Sequence, residues 1–400
     1  MDLTRPLKLI CPVQNYAWGK IGGDSLIARL RGELHSSQPF AELWVGAHPS
    51  APAKFEMEGT LRTLDRAISE APEQLLGESV FSRFGAALPF MFKVLSIRTA
   101  LSIQAHPDKS LAVELHRQAP EHYPDDNHKP EIAIAVTDVE LLYGFRPLVE
   151  IRQNFQRLPE LALLLPDEIR GGLLNEPLFS NDHELLRDVY AAIMHGHVEK
   201  IAQVTALLAS RLRDSEQRRP EDEWVLRLLH DYPNGDAGLF SFYLLNFGRL
   251  KPGEAVFVGP GVPHAYLSGD LVECMASSDN VVRAGLTPKF KDVDTLLKML
   301  HFQSAVFEIL HPRSHAGGPE RYPAPVKEFF VECVESSAPR SFASGGGSVE
   351  LVFCLEGQGH LSHGEQRYQF ASGESYLIPA AAGSVDINLE SGKLFRVGVP

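Results

Sequence analysis

Two side chains with metal-binding chemistry lie two residues apart in a segment of alternating polarity. Within residues 101–106, Gln104 and His106 fall on one face of a predicted strand, and apolar side chains fall on the other. Donors at positions i and i+2 of a rigid strand point into the same space, as a chelating pair requires. A polar strand face that is simply solvated is the alternative, so this pair alone does not establish a metal site.

Two later segments supply a carboxylate and a second imidazole. Glu131 follows Lys129 at the start of an apolar strand, so the two share a face. His264 follows a Gly-Pro-Gly-x-Pro turn, and Tyr266 lies on the same face as His264. The order Gln-x-His, Glu, His is similar to the two-part metal motif of the cupin superfamily, whose donors meet inside a small β-barrel. Histidine and carboxylate donors suit zinc or another divalent first-row ion.

The spacing of apolar residues indicates which elements position these side chains. Residues of helical periodicity separate two groups of predicted strands, and they fill residues 150–246. The first group of strands lies at residues 90–97, 101–106, 132–136, 140–144, 254–258 and 271–275, with a turn at Gly269-Asp270. After the Pro/Gly-rich residues 311–325, short strands at 328–334, 349–355, 365–370, 375–378 and 394–399, with turns at 356–359 and 371–374, are typical of a β-sandwich or barrel.

We therefore predict a mainly β chain with two β-domains, the first of them interrupted by an α-helical insertion. The resemblance to cupins implies that these domains are cupin-type β-barrels (jelly rolls). Residues 1–145 and 246–312 form the metal-binding domain, and residues 146–245 form the insertion. Residues 313–400 form a C-terminal domain. We predict that the C-terminal domain binds no metal, because no histidine follows Pro379 as His264 follows Pro263.

Composition excludes several classes of function. The 400-residue chain carries a formal charge of −13, which argues against broad nucleic-acid binding. Its N-terminal residues lack the apolar core of a secretory signal, and no run approaches the roughly 20 apolar residues of a membrane span. The four cysteines form no C-x-x-C pair. We expect a cytoplasmic monomer that acts on a small molecule and contacts neither membrane nor nucleic acid.

Other histidine motifs are poorer candidates. His195 and His197 flank Gly196 in the break between two predicted helices, without a carboxylate partner, so an exposed helix end is the better interpretation. His183 and Glu184 are followed by Arg187, where a zinc metalloprotease motif requires a second histidine.

Seven blocks of sequence resemble the type I mannose-6-phosphate isomerases and occur in the order found in that family. They are QNYAWG (14–19), AELWVGAHP (41–49), FKVL (92–95), LSIQAHPDK (101–109), HKPE (128–131), GVPHAY (261–266) and NVVRAGLTPK (280–289). The resemblance implies that Gln104, His106, Glu131 and His264 bind one zinc ion and that Arg283 is the active-site arginine. It also implies a helical insertion and a second, metal-free cupin-like domain.

The reaction that the family implies is the interconversion of mannose 6-phosphate and fructose 6-phosphate. A proton moves between C1 and C2, so the site needs a base, a means of stabilising the enediolate and a grip on the phosphate. Glu273, in an apolar setting that would raise its pKa, is a candidate base, and Lys129 could shuttle protons or bind a sugar oxygen. Arg283 could stabilise an anion or hold the phosphate. The remaining substrate-binding candidates are Ser102 and Lys93 for the phosphate, and Tyr266 and Trp18 for the pocket.

Each of these side chains has a structural alternative. Glu273 could be an ordinary strand glutamate, Lys129 a solvated lysine and Trp18 a core residue. Two other functions also fit a cupin metal site: a non-catalytic sugar-phosphate-binding protein, and an iron oxygenase. The complete ligand set together with Arg283 disfavours the first, and Gln104 with its lysine-rich surroundings disfavours the second.

Overall fold

The computed structural model of the chain describes residues 3–179, 182–314 and 318–400. Helix accounts for 30% and strand for 32% of the structure, so the chain is a mixture of the two. The prediction of a mainly β chain is therefore wrong. Most strands form two large sheets, and four form two small two-stranded sheets. Among the described residues neither large sheet closes into a barrel. None of the helices in this described part has the length and apolar character needed to cross a membrane.

The elements are numbered in chain order. The strands before the C-terminal region are β1 (Leu7–Leu9), β2 (Val13–Gln14), β3 (Lys20–Ile21), β4 (Pro39–Phe40), β5 (Glu42–Val45), β6 (Lys54–Met57), β7 (Thr60–Thr63), β8 (Phe90–Ile97), β9 (Ile103–Ala105), β10 (Glu131–Ala135), β11 (Val139–Phe145), β12 (Leu245–Leu250), β13 (Ala255–Val258), β14 (His264–Ala276) and β15 (Val282–Gly285). The C-terminal strands are β16 (Glu320–Arg321), β17 (Phe330–Ser336), β18 (Arg340–Ala343), β19 (Glu350–His363), β20 (Gln366–Ala371), β21 (Ser375–Ile378) and β22 (Asp386–Gly398). The α-helices are α1 (Leu26–Arg31), α2 (Leu64–Glu70), α3 (Pro72–Leu76), α4 (Glu78–Phe84), α5 (Lys109–Gln118), α6 (Leu148–Arg157), α7 (Asp167–Asn175), α8 (His183–Met194), α9 (Val198–Asp214), α10 (Pro220–Leu228) and α11 (Val293–Met299).

Strand β14 is the centre of the larger, ten-stranded sheet. Its first half pairs with β11, and its second half pairs with β8 and β10. Between the halves, Gly269 has a φ of +113°, and a Cβ atom at this position would lie 2.5 Å from the carbonyl oxygen of Asp138. The turn predicted at Gly269-Asp270 is therefore wrong. The glycine bends the strand without ending it, because it has no side chain to meet the neighbouring strand.

The two faces of strand β8 differ in chemistry. On one face, Phe92 enters an apolar core that is shared by the two large sheets. Its ring centre lies 5.5 Å from that of Phe353 and 5.8 Å from that of Phe395, both on C-terminal strands. On the other face, Lys93 lies directly opposite Glu273 of β14. Because side chains alternate along a strand, the sheet packs with one face and presents polar groups on the other.

Helices α6 to α10 lie between the end of β11 at Phe145 and the start of β12 at Leu245, where the helical insertion was predicted. Strands β11 and β12 are hydrogen-bonded neighbours, so the helices interrupt a pair of adjacent strands. These helices share an apolar cluster with Ile103 of β9 and Val282 of β15. The helical block therefore supports two of the strands that carry candidate site residues. The buried face of α9 has the predicted helical spacing: Ile201, Val204, Leu208 and Leu212.

The eight-stranded sheet combines the C-terminal strands with one strand from the other end of the chain. Strand β1 pairs with β21, with Leu7 opposite Leu377. Residues 7–9 thus belong to the C-terminal sheet, although the predicted boundaries put them in the metal-binding domain. Strands β19 and β22 also run through segments predicted as turns or left unassigned. Gly357 and Gly392 lie opposite each other with positive φ, so the two strands bend together instead of ending.

Candidate metal centre and active site

Three side chains with metal-binding chemistry meet within the larger sheet. Glu131 begins β10, His264 begins β14, and His106 follows β9. Their ligand atoms all lie within 4.8 Å of one another. The Nε2 atoms of His106 and His264 lie 3.4 Å and 3.1 Å from the two carboxylate oxygens of Glu131. All three side chains are buried, so the structure brings together three of the four predicted metal ligands.

The competing histidine pair does not form such a group. His195 and His197 lie between α8 and α9, and both are exposed, as predicted. Within the described ranges, His106, Glu131 and His264 form the one group of three His, Cys, Asp or Glu residues with metal-binding geometry.

Hydrogen bonds outside the triad orient its two imidazoles. Nδ1 of His106 lies 2.8 Å from the main-chain oxygen of Asn280, and Nδ1 of His264 lies 3.0 Å from that of Val262. A carbonyl oxygen only accepts, so each ring donates from Nδ1 and presents the lone pair of Nε2 to the centre of the site. Neither Nε2 atom, nor Oε2 of Glu131, has a hydrogen-bond partner among the described residues. Buried polar atoms normally have partners, and a divalent cation bound between these three would satisfy all of them.

The local charges favour the protonation states that bind metal. Burial, and after it the charge of Lys129, lowers the pKa of His106 to about 4 against the opposing effect of Glu131. Burial would raise the pKa of Glu131, but the neighbouring imidazoles and Lys129, whose Nζ lies 3.7 Å away, hold that pKa well below its ordinary value. A neutral imidazole and an ionised carboxylate are the forms that bind a metal ion.

Gln104, the fourth predicted ligand, lies next to the triad. On β9 it is directly opposite His264 of β14 on one side and Arg283 of β15 on the other. Directly opposite residues of antiparallel strands put their side chains on the same face, with Cβ atoms about 4.5–5.5 Å apart. The side chains of His264, Gln104 and Arg283 therefore form one row.

Arg283 is a partly buried cation with no acidic partner among the described residues. Burial lowers the pKa of its guanidinium. Arg283 and Lys289 line a cleft of about 160 Å³, together with Glu121 and Asp292. Asp292 already accepts a hydrogen bond from the hydroxyl of Tyr123, at 2.9 Å. Two cations and two carboxylates therefore line the cleft, and Arg283 connects it to Gln104, its partner across the strands.

A row of charged side chains continues from the triad along the same face of the sheet. Glu273 of β14 lies directly opposite Lys93 of β8, and both are buried. Burial, with a smaller contribution from Glu131, raises the pKa of Glu273 to about 7, while Lys93 and Lys129 act in the opposite direction. A raised pKa was predicted from the apolar sequence around Glu273. A carboxylate of this kind can accept a proton near neutral pH.

Glu42 and Trp44 belong to the same row and were missed by the sequence analysis. The carboxylate of Glu42 accepts a hydrogen bond from the indole of Trp44 and lies 3.5 Å from Nζ of Lys93. Burial would lower the pKa of Lys93, but Glu42 and Glu273 raise it above its ordinary value. Lys93 is therefore a charged lysine that already has an acidic partner, which makes it a poorer candidate for binding phosphate. The sequence did contain a signal for Glu42, because it is a charged residue among the apolar residues of 41–45.

Of the other predicted substrate-binding residues, Tyr266 contacts the triad directly. The hydroxyl of Tyr266 donates to Oε1 of Glu131 at 3.0 Å, so it orients the carboxylate of the triad. Trp18 packs against the apolar cluster that contains Tyr266. Ser102 is partly buried and lies two residues before Gln104. The structure therefore gives Tyr266 a definite contact with Glu131, whereas the roles of Trp18 and Ser102 remain predictions.

The C-terminal region also reaches the segment that leads into the site. His128, the residue before Lys129, lies 2.8 Å from the carboxylate of Glu328 through its Nε2 atom. Burial would raise the pKa of Glu328, but this contact with His128 lowers it below its ordinary value. A hydrogen bond close to Lys129 thus connects the segments that precede β10 and β17, in addition to the core that the two large sheets share.

Family models match most of the chain. The catalytic domain of phosphomannose isomerase type I matches residues 7–148, and the helical insertion domain of the same family matches residues 170–245. The cupin domain of mannose-6-phosphate isomerase matches residues 320–398. A cupin domain is therefore present in the C-terminal region.

Individual relatives and solved structures match between 76% and 100% of the chain. The chain is 38% identical to mannose-6-phosphate isomerase 1 of Arabidopsis thaliana, over 100% of this chain and 95% of that protein. It is 46% identical to the mannose-6-phosphate isomerase of Macaca fascicularis, over 76% of this chain and 74% of that protein. A crystal structure of a phosphomannose isomerase mutant from Salmonella typhimurium aligns with a TM-score of 0.88 at 33% identity, covering 98% of this chain and 99% of that one. A zinc-bound mannose 6-phosphate isomerase aligns with a TM-score of 0.87 at 34% identity and the same coverage.

Proposed function

The chain belongs to the type I phosphomannose isomerase family, and we propose that it interconverts mannose 6-phosphate and fructose 6-phosphate with one bound zinc ion. It is an aldose–ketose isomerase, as its relatives are. The observation that supports the metal is the buried triad of His106, Glu131 and His264, with three ligand atoms that lack partners among the described residues. We place Gln104 beside them as the fourth ligand.

The chemistry of this donor set fits a catalytic zinc site better than a structural one. Structural zinc sites are mostly closed by four ligands that include cysteine, whereas catalytic sites use histidine and carboxylate ligands and keep a position for substrate. A zinc ion bound here would act as a Lewis acid on the sugar oxygens and would favour the negative charge of an enediolate. Proton transfer and the binding of the sugar and its phosphate are the roles of the surrounding side chains.

Proton transfer between C1 and C2 requires a base that is ionised near neutral pH. We propose Glu273 for this role, because its pKa of about 7 makes it both a competent base and, once protonated, a competent acid. Lys129, buried and close to Glu131, is proposed to bind a sugar oxygen or to carry the proton. Arg283 stays charged throughout and is proposed to stabilise the anionic intermediate.

The phosphate needs a cation that has no acidic partner of its own. Arg283 and Lys289 line the cleft beside Gln104, whereas Lys93 is paired with Glu42. We therefore propose that the phosphate lies in this cleft, with Ser102 as a further hydrogen-bond donor. Lys93 then has a supporting role, in which it holds Glu42 and Glu273 in place.

The decisive experiment is an isomerase assay with mannose 6-phosphate, coupled to detection of fructose 6-phosphate. Activity should disappear when the metal is removed by a chelator and should return when zinc is added back. Activity that persists in a protein shown to contain no metal would reject the metal-dependent mechanism. A zinc-loaded protein without any turnover would reject the proposed reaction.

We further propose that the enzyme works as a cytoplasmic monomer. The exposed large apolar side chains are scattered along the chain, as on an ordinary protein surface. The four cysteines are free thiols, the state that a reducing compartment maintains. Light scattering during gel filtration tests the oligomeric state, and a mass of about twice 44.2 kDa would reject the monomer.

A further inference from the structure

The hydrogen bond that orients His106 depends on a loop that the catalytic roles proposed above do not involve. Nδ1 of His106 bonds to the main-chain oxygen of Asn280, which lies in the connection between β14 and β15. The position of that oxygen fixes the plane and the tautomer of the imidazole. Whatever holds residues 277–280 in place therefore also determines where Nε2 of His106 points.

The carboxylate of Asp125 accepts hydrogen bonds from several residues of this loop. Its Oδ2 atom accepts the main-chain N–H of Asp279 at 2.7 Å. Its Oδ1 atom accepts the hydroxyl of Ser278 at 2.8 Å and the side-chain amide of Asn280 at 3.1 Å. It also accepts the main-chain N–H of Asn127 at 2.9 Å. Three consecutive residues of the loop are thus bound to one side chain.

Other contacts hold the ends of the loop, and the Asp125 segment holds the part that carries the Asn280 carbonyl. The main-chain N–H of Ser277 donates to the oxygen of Pro89 at 3.0 Å, and the Asp279 carboxylate lies 3.1 Å from Nε2 of His48. Ser278 and Asn280 are buried, so their polar groups have little access to water that could replace their bonds to the Asp125 segment. The remaining contacts of the Asn280 amide are with the main-chain oxygens of Asp125 and Asn127, at 2.6 Å and 2.9 Å, and so come from the same segment. That segment continues directly into Lys129 and Glu131. Asp125 therefore joins the loop behind one metal ligand to the segment that leads into another.

We propose that Asp125 is a positioning residue of the metal centre: it holds the Asn280 carbonyl that receives the Nδ1–H of His106, and so aims Nε2 at the metal. This inference deepens the proposed function and rests on the metal site described there. Partners of metal ligands that lie outside the coordination shell typically contribute about 10- to 100-fold to metal affinity. Asp125 acts through Asn280, and its carboxylate has no hydrogen bond to a proposed metal ligand among the described residues.

Variants of Asp125 separate positioning from general stability. Asp125→Asn keeps an oxygen for the Oδ1 contacts and loses the acceptor for the Asp279 N–H, whereas Asp125→Ala loses all of them. The matched control is Asp222→Asn on α10. The Asp222 carboxylate also accepts hydrogen bonds from several donors, among them Arg157 and Tyr243, but it lies in the helical block.

The measurement is the zinc dissociation constant of each purified protein, by competition with a chromophoric chelator, together with the thermal midpoint of the metal-free form. We expect zinc affinity to fall roughly 10-fold in Asp125→Asn and further in Asp125→Ala. The Asp222→Asn control should lower the thermal midpoint without changing zinc affinity. Cobalt(II) substitution gives a second signal, because its visible spectrum follows ligand geometry and should change in Asp125→Asn but not in Asp222→Asn.

Three outcomes would overturn the inference, and they are distinguishable. If the Asp125 variants bind zinc as tightly as the wild type, Asp125 does not position the site. If Asp222→Asn weakens zinc binding equally, the effect is one of overall stability. If the wild-type protein binds no zinc, the proposed metal site itself fails, and this inference fails with it. If Asp125→Ala does not fold, Asp125→Asn alone decides between these outcomes.

Discussion

Glu273 and Lys93 lie directly opposite each other on neighbouring strands and are both buried on the face that carries Glu131. The lysine is held in its charged form by Glu42 as well as by Glu273. The glutamate nevertheless keeps a pKa of about 7, because the effects of burial and of Glu131 exceed the attraction of the lysines. The pair thus combines a fixed positive charge with a carboxylate that titrates near neutral pH.

The first prediction concerns the pH dependence of the metal-free protein. The folded pKa of Glu273 is raised above its ordinary value of 4.5, so the folded state binds a proton that the unfolded state releases between pH 4.5 and about 7. The contribution of Glu273 to stability should therefore be complete below pH 4.5 and should be lost as the pH rises through 7. Each pH unit of difference between the folded and unfolded pKa values is worth roughly 1.4 kcal/mol.

Urea unfolding of chelated protein at several pH values measures this effect. Glu273→Gln, which mimics the protonated form, should remove the loss of stability that Glu273 causes between pH 4.5 and 7. The stability of this variant relative to the wild type should therefore increase with pH across this range, while His106, with its lowered pKa of about 4, contributes equally to both proteins. Glu216→Gln on the exposed surface should leave the wild-type profile unchanged. An unaltered pH profile in Glu273→Gln would contradict the prediction.

The second prediction concerns Tyr266, whose hydroxyl donates to Oε1 of Glu131. In Tyr266→Phe the carboxylate loses this orientation, and we expect zinc affinity to fall about tenfold with little change in fold. Competition with a chelator measures the affinity. Tyr143→Phe is the matched control, because the hydroxyl of Tyr143 donates to the main-chain oxygen of Phe257 and not to a metal-binding residue. Equal affinities in the two variants would show that the Tyr266 contact does not matter for the metal.

The third prediction concerns Arg283. Removing its charge in Arg283→Ala should lower kcat/KM for mannose 6-phosphate by roughly 100-fold or more, about 3 kcal/mol of transition-state stabilisation. Arg283→Lys should recover only part of the loss, because an ammonium group cannot reproduce two parallel hydrogen bonds to an anion. Arg249→Lys, at an exposed ion pair with Glu140, should retain wild-type kinetics. Full recovery by lysine would mean that charge alone is required.

The fourth prediction concerns the core between the two sheets. Phe92→Ala removes the ring that contacts Phe353 and Phe395. The free energy of unfolding should fall by about 3–5 kcal/mol. Because the two sheets share this core, the variant and the wild type should both unfold in a single calorimetric transition. Val306→Ala, at an 85% exposed side chain, should change stability by less than about 0.5 kcal/mol. Two separate transitions would show that the C-terminal sheet is stable on its own.

The sequence indicated the triad because strand geometry has a simple period. Donors at Gln104 and His106 had to share a face once residues 101–106 were assigned to a strand, and a later histidine after a tight turn could complete the site. Strand β8 was predicted with the same limits that the structure has, Phe90–Ile97. These features depend on local alternation, which the sequence displays directly.

The parts that were missed depend on contacts between distant segments. Asn280 orients His106 through its main-chain oxygen, and a main-chain contact leaves no trace in residue type. Glu42 forms an ion pair with Lys93, and the two residues lie on neighbouring strands that are about 50 residues apart in sequence. Gly269 was taken for a turn because a glycine that bends a strand and a glycine that ends it look alike in a single sequence.

Strand β1 gives the chain a particular order of assembly. Leu7 is synthesised some 370 residues before Leu377, its partner across the ladder, so β1 must wait for a partner strand that is made much later. Until then, its apolar side chains Leu7 and Leu9, which are buried in the folded protein, stay exposed to solvent. Closing so long a loop is slow, so sealing of the eight-stranded sheet by β1 is expected to be a late event in folding. Until that step is complete, the edge of β21 is open to strands of other molecules, and newly made chains would be most prone to aggregate at this stage.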